Sequence, residues 1–148
     1  VSEDGNPDDA TLLAGLDTTT PAWARLLALA DRFAAEPHAA DDYRWTRPER
    51  RADGAVTMAY PVYGERVTQA RRALAEVGAV TPAYHWMRRP RVRYDDGALS
   101  PGDAIRMATS VVRGERFNEG TLGRAVESGA LRAVLVALAT WYRDRPGA

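Results

Sequence analysis

Apolar residues recur at three- and four-residue intervals in five stretches of this chain, and glycine or proline stands at or near the limits of each. Side chains spaced this way fall on one face of an α-helix, so each stretch has to bury that face against another. Thr20-Pro21 reads as an N-cap followed by proline at the first helical position. Trp23, Leu26, Leu27, Ala30 and Phe33 then share a face, and Pro37 sets an end near Ala35. Pro61 and Gly64 flank the start of a second helix with the stripe Val67, Ala70, Leu74 and Val77, leaving Arg66, Gln69 and Arg72 directed elsewhere; Gly78 is placed to end it. Ser100-Pro101-Gly102-Asp103 has the layout of a capping box with aspartate in the acidic position, and opens a helix through Ile105, Ala108, Val111 and Val112 to Gly114. A short helix from about Asn118 to Ser128 turns Leu122, Ala125 and Val126 inward. After Gly129 the last helix carries Leu131, Val134, Leu135, Leu138 and Trp141.

Between Glu36 and Gly54 the helical period fails. Tyr43 and Trp45 alternate with Arg44 and Thr46, Asp53-Gly54 is a turn signal, and Ala55 to Tyr60 suits a second short strand, which together predict a small β-hairpin. Thr81-Pro82 opens a helical turn holding Tyr84, Trp86 and Met87 that Pro90 stops, and the RVRY run reads as a strand leading to an Asp96-Gly97 turn. Val1 to Ala10 is polar and rich in turn formers, as a disordered tail would be. The expectation is a mainly α, single compact domain over residues 11–148, with about five helices and a small hairpin, after a tail over residues 1–10.

A chain of 148 residues can bury roughly 70% of the surface its unfolded form exposes, so it needs no covalent staple. It has no cysteine, which removes disulfides, thiol catalysis and thiolate metal sites. All 20 basic residues are arginine, a bias that a GC-rich genome explains; the absence of lysine excludes Schiff-base chemistry and a P-loop. His38 and His85 stand alone, without a metal-binding motif, and no serine lies in a nucleophile elbow, so neither a metal nor a cofactor is expected. No apolar run is long enough for a membrane span and no signal peptide opens the chain, which points to a soluble, cytoplasmic protein. The net charge is zero but unevenly spread: residues 1–42 hold nine acids and two arginines, whereas residues 43–93 hold four acids and eleven arginines.

Two clusters are candidates for function. The first is RGERFNEG, where Arg113, Glu115, Arg116 and Glu119 gather around Phe117 between two helices, with Phe117 free to plug the core. Those charges form either a structural network fixing the angle between helices, or an anion- or partner-binding site. As a further alternative, Glu115 and Glu119 serve as an acid and base pair on an anionic or sugar-like substrate. The second cluster mixes rings with guanidinium groups: Tyr43, Arg44, Trp45, Arg47, Arg50 and Arg51, together with Trp86, Arg88, Arg89, Arg91, Arg93 and Tyr94. Such a surface suits a protein interface, or the backbone and bases of a single-stranded nucleic acid.

The run Gly114, Glu115, Arg116, Phe117, Glu119, Gly120 and Leu122, continued by Gly129 and Leu131, resembles the signature of an uncharacterised bacterial family of unknown function. Tyr60, Pro61, Val62 and Tyr63 extend the similarity upstream. The resemblance implies a shared domain and no activity, so no catalytic residue comes with it. The residues favour a non-catalytic module that binds a protein partner or self-associates. Nucleic-acid binding is the first alternative and an enzyme using Glu115 and Glu119 the second; no membrane partner is expected.

Overall fold

The structure, a computed structural model, describes residues 5–88, 92, 94 and 97–147. The chain is mainly α. Its helices are α1 (Asp9–Ala14), α2 (Ala22–Ala35), α3 (Glu65–Glu76), α4 (Pro101–Glu115), α5 (Thr121–Ser128) and α6 (Ala130–Asp144), with a 3₁₀ turn at Trp86–Arg88. Five of the six are the helices expected from periodicity. The sixth, α1, lies partly where a tail was expected.

Ser100 is the N-cap of α4 as expected, whereas α2 starts one residue later than expected, with Pro21 and not Thr20 as its N-cap and no side-chain cap bond. Thr20 Oγ1 accepts the Ala22 N–H at 3.2 Å ahead of α2, and Ser100 Oγ accepts the Asp103 N–H at 3.1 Å ahead of α4. Asp103 does not work as the acidic half of a capping box: its carboxylate accepts from Arg106 at 3.0 Å. Gly78, at φ 88°, follows the end of α3 as expected. Gly114 does not end α4, which runs one residue further, to Glu115.

Helix α6 buries Leu131, Val134, Leu135 and Leu138, packing on α2, α4 and α5. From α2 come Trp23, Leu26 and Phe33, from α3 Val67 and Leu74, from α4 Ile105 and from α5 Leu122, all essentially without solvent exposure. The Trp23 ring stacks on Tyr142 with centroids 4.3 Å apart, and its Nε1 donates to the Asp17 carbonyl at 2.7 Å.

Residues 5–10 are corrected from tail to structure. Asn6 is buried, and its Oδ1 accepts the His85 N–H at 2.8 Å. Asp8 caps α1 through the Thr11 N–H at 2.9 Å. Arg106 on α4 then holds Asp9 at 2.6 Å and the Pro7 carbonyl at 3.3 Å. Residues 1–4 lie outside the described residues.

The hairpin has four short strands in two antiparallel ladders: β1 (Tyr43–Trp45) with β4 (Pro61–Tyr63), and β2 (Glu49–Arg50) with β3 (Val56–Thr57). Trp45 faces Pro61, and four residues further along each strand Glu49 faces Thr57, so both ladders keep one register. They part around Pro48, which has no N–H to give. Across the gap the Thr46 N–H donates to the Tyr60 carbonyl, and Thr46 Oγ1 accepts the Tyr60 N–H, each at 2.9 Å. Pro61, expected to flank a helix start, is therefore a strand residue, and only Gly64 precedes α3. Of the strand and turn expected over RVRY and Asp96-Gly97, Arg91, Arg93 and Asp96 lie outside the described residues.

Candidate functional site

The base of the hairpin is fixed by an ion pair that the sequence reading did not find. Arg66 was expected to point away from the core, yet it is only 7% exposed. Its Nε and Nη2 donate to the two carboxylate oxygens of Asp42 at 2.6 and 2.7 Å, and its guanidinium lies 4.0 Å from the centroid of the Phe33 ring. Asp42 also accepts the Ala39 N–H at 2.8 Å. Burial opposes ionisation of Asp42, but the Arg66 hydrogen bonds, the Ala39 N–H and the nearby positive charge outweigh it. The carboxyl is held below its ordinary value.

Pleating sends Tyr43 and Trp45 to one face of β1 and Arg44 to the other. The first face lies on α5, which accepts it because two glycines stand there. A Cβ on Gly123 would come within 2.5–2.8 Å of the Tyr43 ring, and one on Gly120 within 2.6 Å of Trp45. Burial, and after it the Glu127 carboxylate, push the Tyr43 hydroxyl up to about 12.

Beneath this contact sits Glu115, 8% exposed at the end of α4. Its Oε1 accepts the Tyr63 hydroxyl and the Leu122 N–H, each at 2.8 Å, and its Oε2 accepts the Gly120 N–H at 3.1 Å. Gly120 precedes α5 without a side chain to cap it. Glu115 thus serves as the cap from a distance, with its negative charge at the positive end of the helix. Tyr63 Oη in turn accepts the Gly123 N–H at 3.3 Å. Its hydroxyl is pushed above the ordinary tyrosine value by burial first and then by the hydrogen bond to Glu115 and its charge.

The four charges of RGERFNEG do not converge. Arg113, Arg116 and Glu119 are exposed, and among the described residues none of them forms an ion pair. The charge network expected between the helices is replaced by Glu115, Tyr63 and backbone N–H groups. An acid and base pair of Glu115 and Glu119 finds no support in this arrangement: one carboxylate is committed to three donors inside the fold and the other stands in solvent.

Phe117 does not plug the core either. The Phe117 and Asn118 N–H groups both turn back to the Gly114 carbonyl, at 3.0 and 2.8 Å. That tight turn leaves Phe117 70% exposed, with its ring centroid 6.0 Å from that of Trp86. Trp86 also reaches towards Gly114, while Trp45 covers Gly120. The 114–120 turn therefore runs between two tryptophans. Met87, beside Trp86, is 72% exposed and Trp45 46%. A hollow of about 200 Å³ lies next to Trp86 and Met87, which line it together with Pro82, Tyr84, His85, Arg88 and Arg113.

Of the second cluster, Tyr43 is half-buried, Arg47 and Arg88 are exposed, and Arg89 and Arg91 lie outside the described residues. Among the described residues no group of three or more histidine, aspartate or glutamate side chains could hold a metal ion, and no helix is long and apolar enough to cross a membrane.

Comparison with curated proteins and with solved structures finds no match. A family model does match, over residues 18–144, which takes in the hairpin, the 114–120 turn and every helix except α1. The chain belongs to the family of unknown function DUF6508.

Proposed function

We propose that this chain is a protein-binding module whose contact face is built on Phe117, Trp86 and Met87, with Arg88 and Arg113 beside them. The observation that carries the reading is the outward position of Phe117: the backbone around it is tied by hydrogen bonds, yet its ring is left 70% exposed beside Trp86. Large apolar side chains gathered at the surface mark interaction sites, and tryptophan and arginine are the usual anchors there. The complementary partner is a protein surface with an apolar socket and an acidic border.

The test places a photoreactive benzoylphenylalanine at position 117 or 87 and irradiates the protein in its native host. One dominant protein should be captured from both positions. Once purified, it should bind the wild-type chain at least about tenfold more tightly than Phe117→Ala, as truncation of an interface anchor requires. A second copy of the chain captured from both positions would identify the partner as self. No specific product from either position, with the protein monomeric in sedimentation, would refute the reading.

Polyanion binding is the second reading, supported by the exposure of Arg44, Arg47, Arg50 and Arg51 along the hairpin. Arg44 and Trp45 lie on opposite faces of β1, so charge and ring do not share one stacking track. This reading requires a mixed-sequence oligonucleotide to shift at low salt and to be released as salt rises.

A further inference from the structure

Helix α6 carries a second stripe beside the one it buries in the core. Ala133, Val136, Ala137 and Trp141 follow helical spacing and form the floor of a cleft of about 670 Å³, whose opposite wall is Tyr94, Leu99 and Pro101. Val136 is 38% exposed there, a branched apolar side chain facing open space. A volume of this order suits a small organic molecule.

The two ends of the cleft differ in charge. Arg132 stands at the start of α6 and Asp144 with Arg145 at its far end, roughly 18 Å away at the rise of an α-helix. Arg145 is already engaged: its guanidinium lies 4.2 Å from the centroid of the Tyr142 ring and its Nε donates to the Tyr142 carbonyl at 3.2 Å. Arg132 is not. Its Nε is buried without a hydrogen-bond partner, and no ion pair involves it among the described residues.

A cation in the first turn of a helix is unfavourable to the helix itself, and α6 has no acidic residue there to offset it. Arg132 thus gains nothing from its own helix, while a carboxylate in the cleft would balance its charge. At the other end Asp144 and Arg145 carry opposite charges side by side, so that end offers a second negative group no net attraction.

We propose that this cleft binds an amphipathic monoanion: a carboxylate held by Arg132, with a medium-length hydrocarbon body lying along Val136, Ala137 and Trp141 and its tail towards Asp144. The site shares no residue with the aromatic cluster around Phe117 and does not depend on the reading given for that cluster.

Isothermal titration of the full chain with decanoate and with decanol tests it. Decanoate should bind saturably with one site per chain and at least about tenfold more tightly than decanol, the size expected of a charge-assisted hydrogen bond. In Arg132→Gln the decanoate affinity should fall to that of decanol. Ala133→Trp, which fills the floor and leaves Arg132 in place, should weaken both ligands. The circular dichroism of each variant reports whether it is folded. Three results would overturn the proposal: no saturable decanoate binding to the wild type, equal affinity for decanoate and decanol, or a folded Arg132→Gln that retains the preference for decanoate.

Discussion

Replacing Glu115 by glutamine tests the central joint of the fold, since the change keeps the shape of the side chain and removes only its charge and one acceptor. Wild-type Glu115 receives two donors on Oε1, the Tyr63 hydroxyl and the Leu122 N–H, and one on Oε2, the Gly120 N–H. Whichever way the glutamine amide is turned, its NH₂ has to face at least one of these donors. A hydrogen bond to a charged group contributes about 1.5–3 kcal/mol, and a buried donor left without a partner costs about 1–3 kcal/mol. Because the lost bond and the stranded donor are partly the same term, the expected destabilisation is about 2–4 kcal/mol. For a domain of this length, that corresponds to a drop in Tm of roughly 5–15 °C. Urea unfolding measures the first quantity and calorimetry the second. Amide hydrogen exchange locates the damage: Gly120 and Leu122 should lose protection well before Leu135 in the core. Tyr63→Phe should cost less, about 1–2 kcal/mol, and the double variant less than the sum of the two singles. A Glu115→Gln protein within about 0.5 kcal/mol of wild type, with protected amides at 120 and 122, would refute the assignment of Glu115 as the cap of α5.

Two further outcomes follow from the hairpin. The lowered pKa of Asp42 means that its contribution to stability is present above the unfolded-state value, about 3.9, and is lost as pH falls through the lower folded value. Asp42→Asn should destabilise the protein by about 3–5 kcal/mol at pH 7 by leaving Arg66 buried and unpaired, and should abolish that part of the acid sensitivity, which urea titrations over a pH series would show. Gly120→Ala places a methyl group against Trp45 at a residue whose φ is 91°. It should cost about 1–3 kcal/mol and shift the fluorescence of Trp45, read by difference against Trp45→Phe. An unchanged unfolding midpoint would show that the hairpin is not seated on α5 by contact at this glycine.

The helices could be read from the sequence because their information is local. Spacing, caps and glycine stops all lie within the element they define, and Ser100, Gly78 and Gly129 mark real helix limits. What could not be read depends on distant partners. Arg66 looks like a surface residue in its own helix, and only Asp42, 24 positions earlier, makes its burial tolerable. Glu115 looks like one of four equivalent charges, and only Tyr63, 52 positions away, and the bare start of α5 single it out. A hint was present in the alternation of Tyr43 with Trp45 and in Tyr63 further on, since aromatic residues on one strand face must cover something. Phe117 was misread because a phenylalanine between helices is ordinarily core. Here the backbone turns back to the Gly114 carbonyl, which directs residue 117 outward while Glu115 occupies the interior.

The region shared with other members of the family begins at residue 18, but the folded unit begins earlier. Leu12 and Leu16 are almost fully buried, Asn6 anchors the chain at His85, and Asp9 neutralises Arg106. A protein cut at the family boundary would expose a patch of the interior and leave Arg106 with one of its two carboxylate partners, Asp103. Recombinant fragments meant to represent the whole domain should therefore start no later than Asn6.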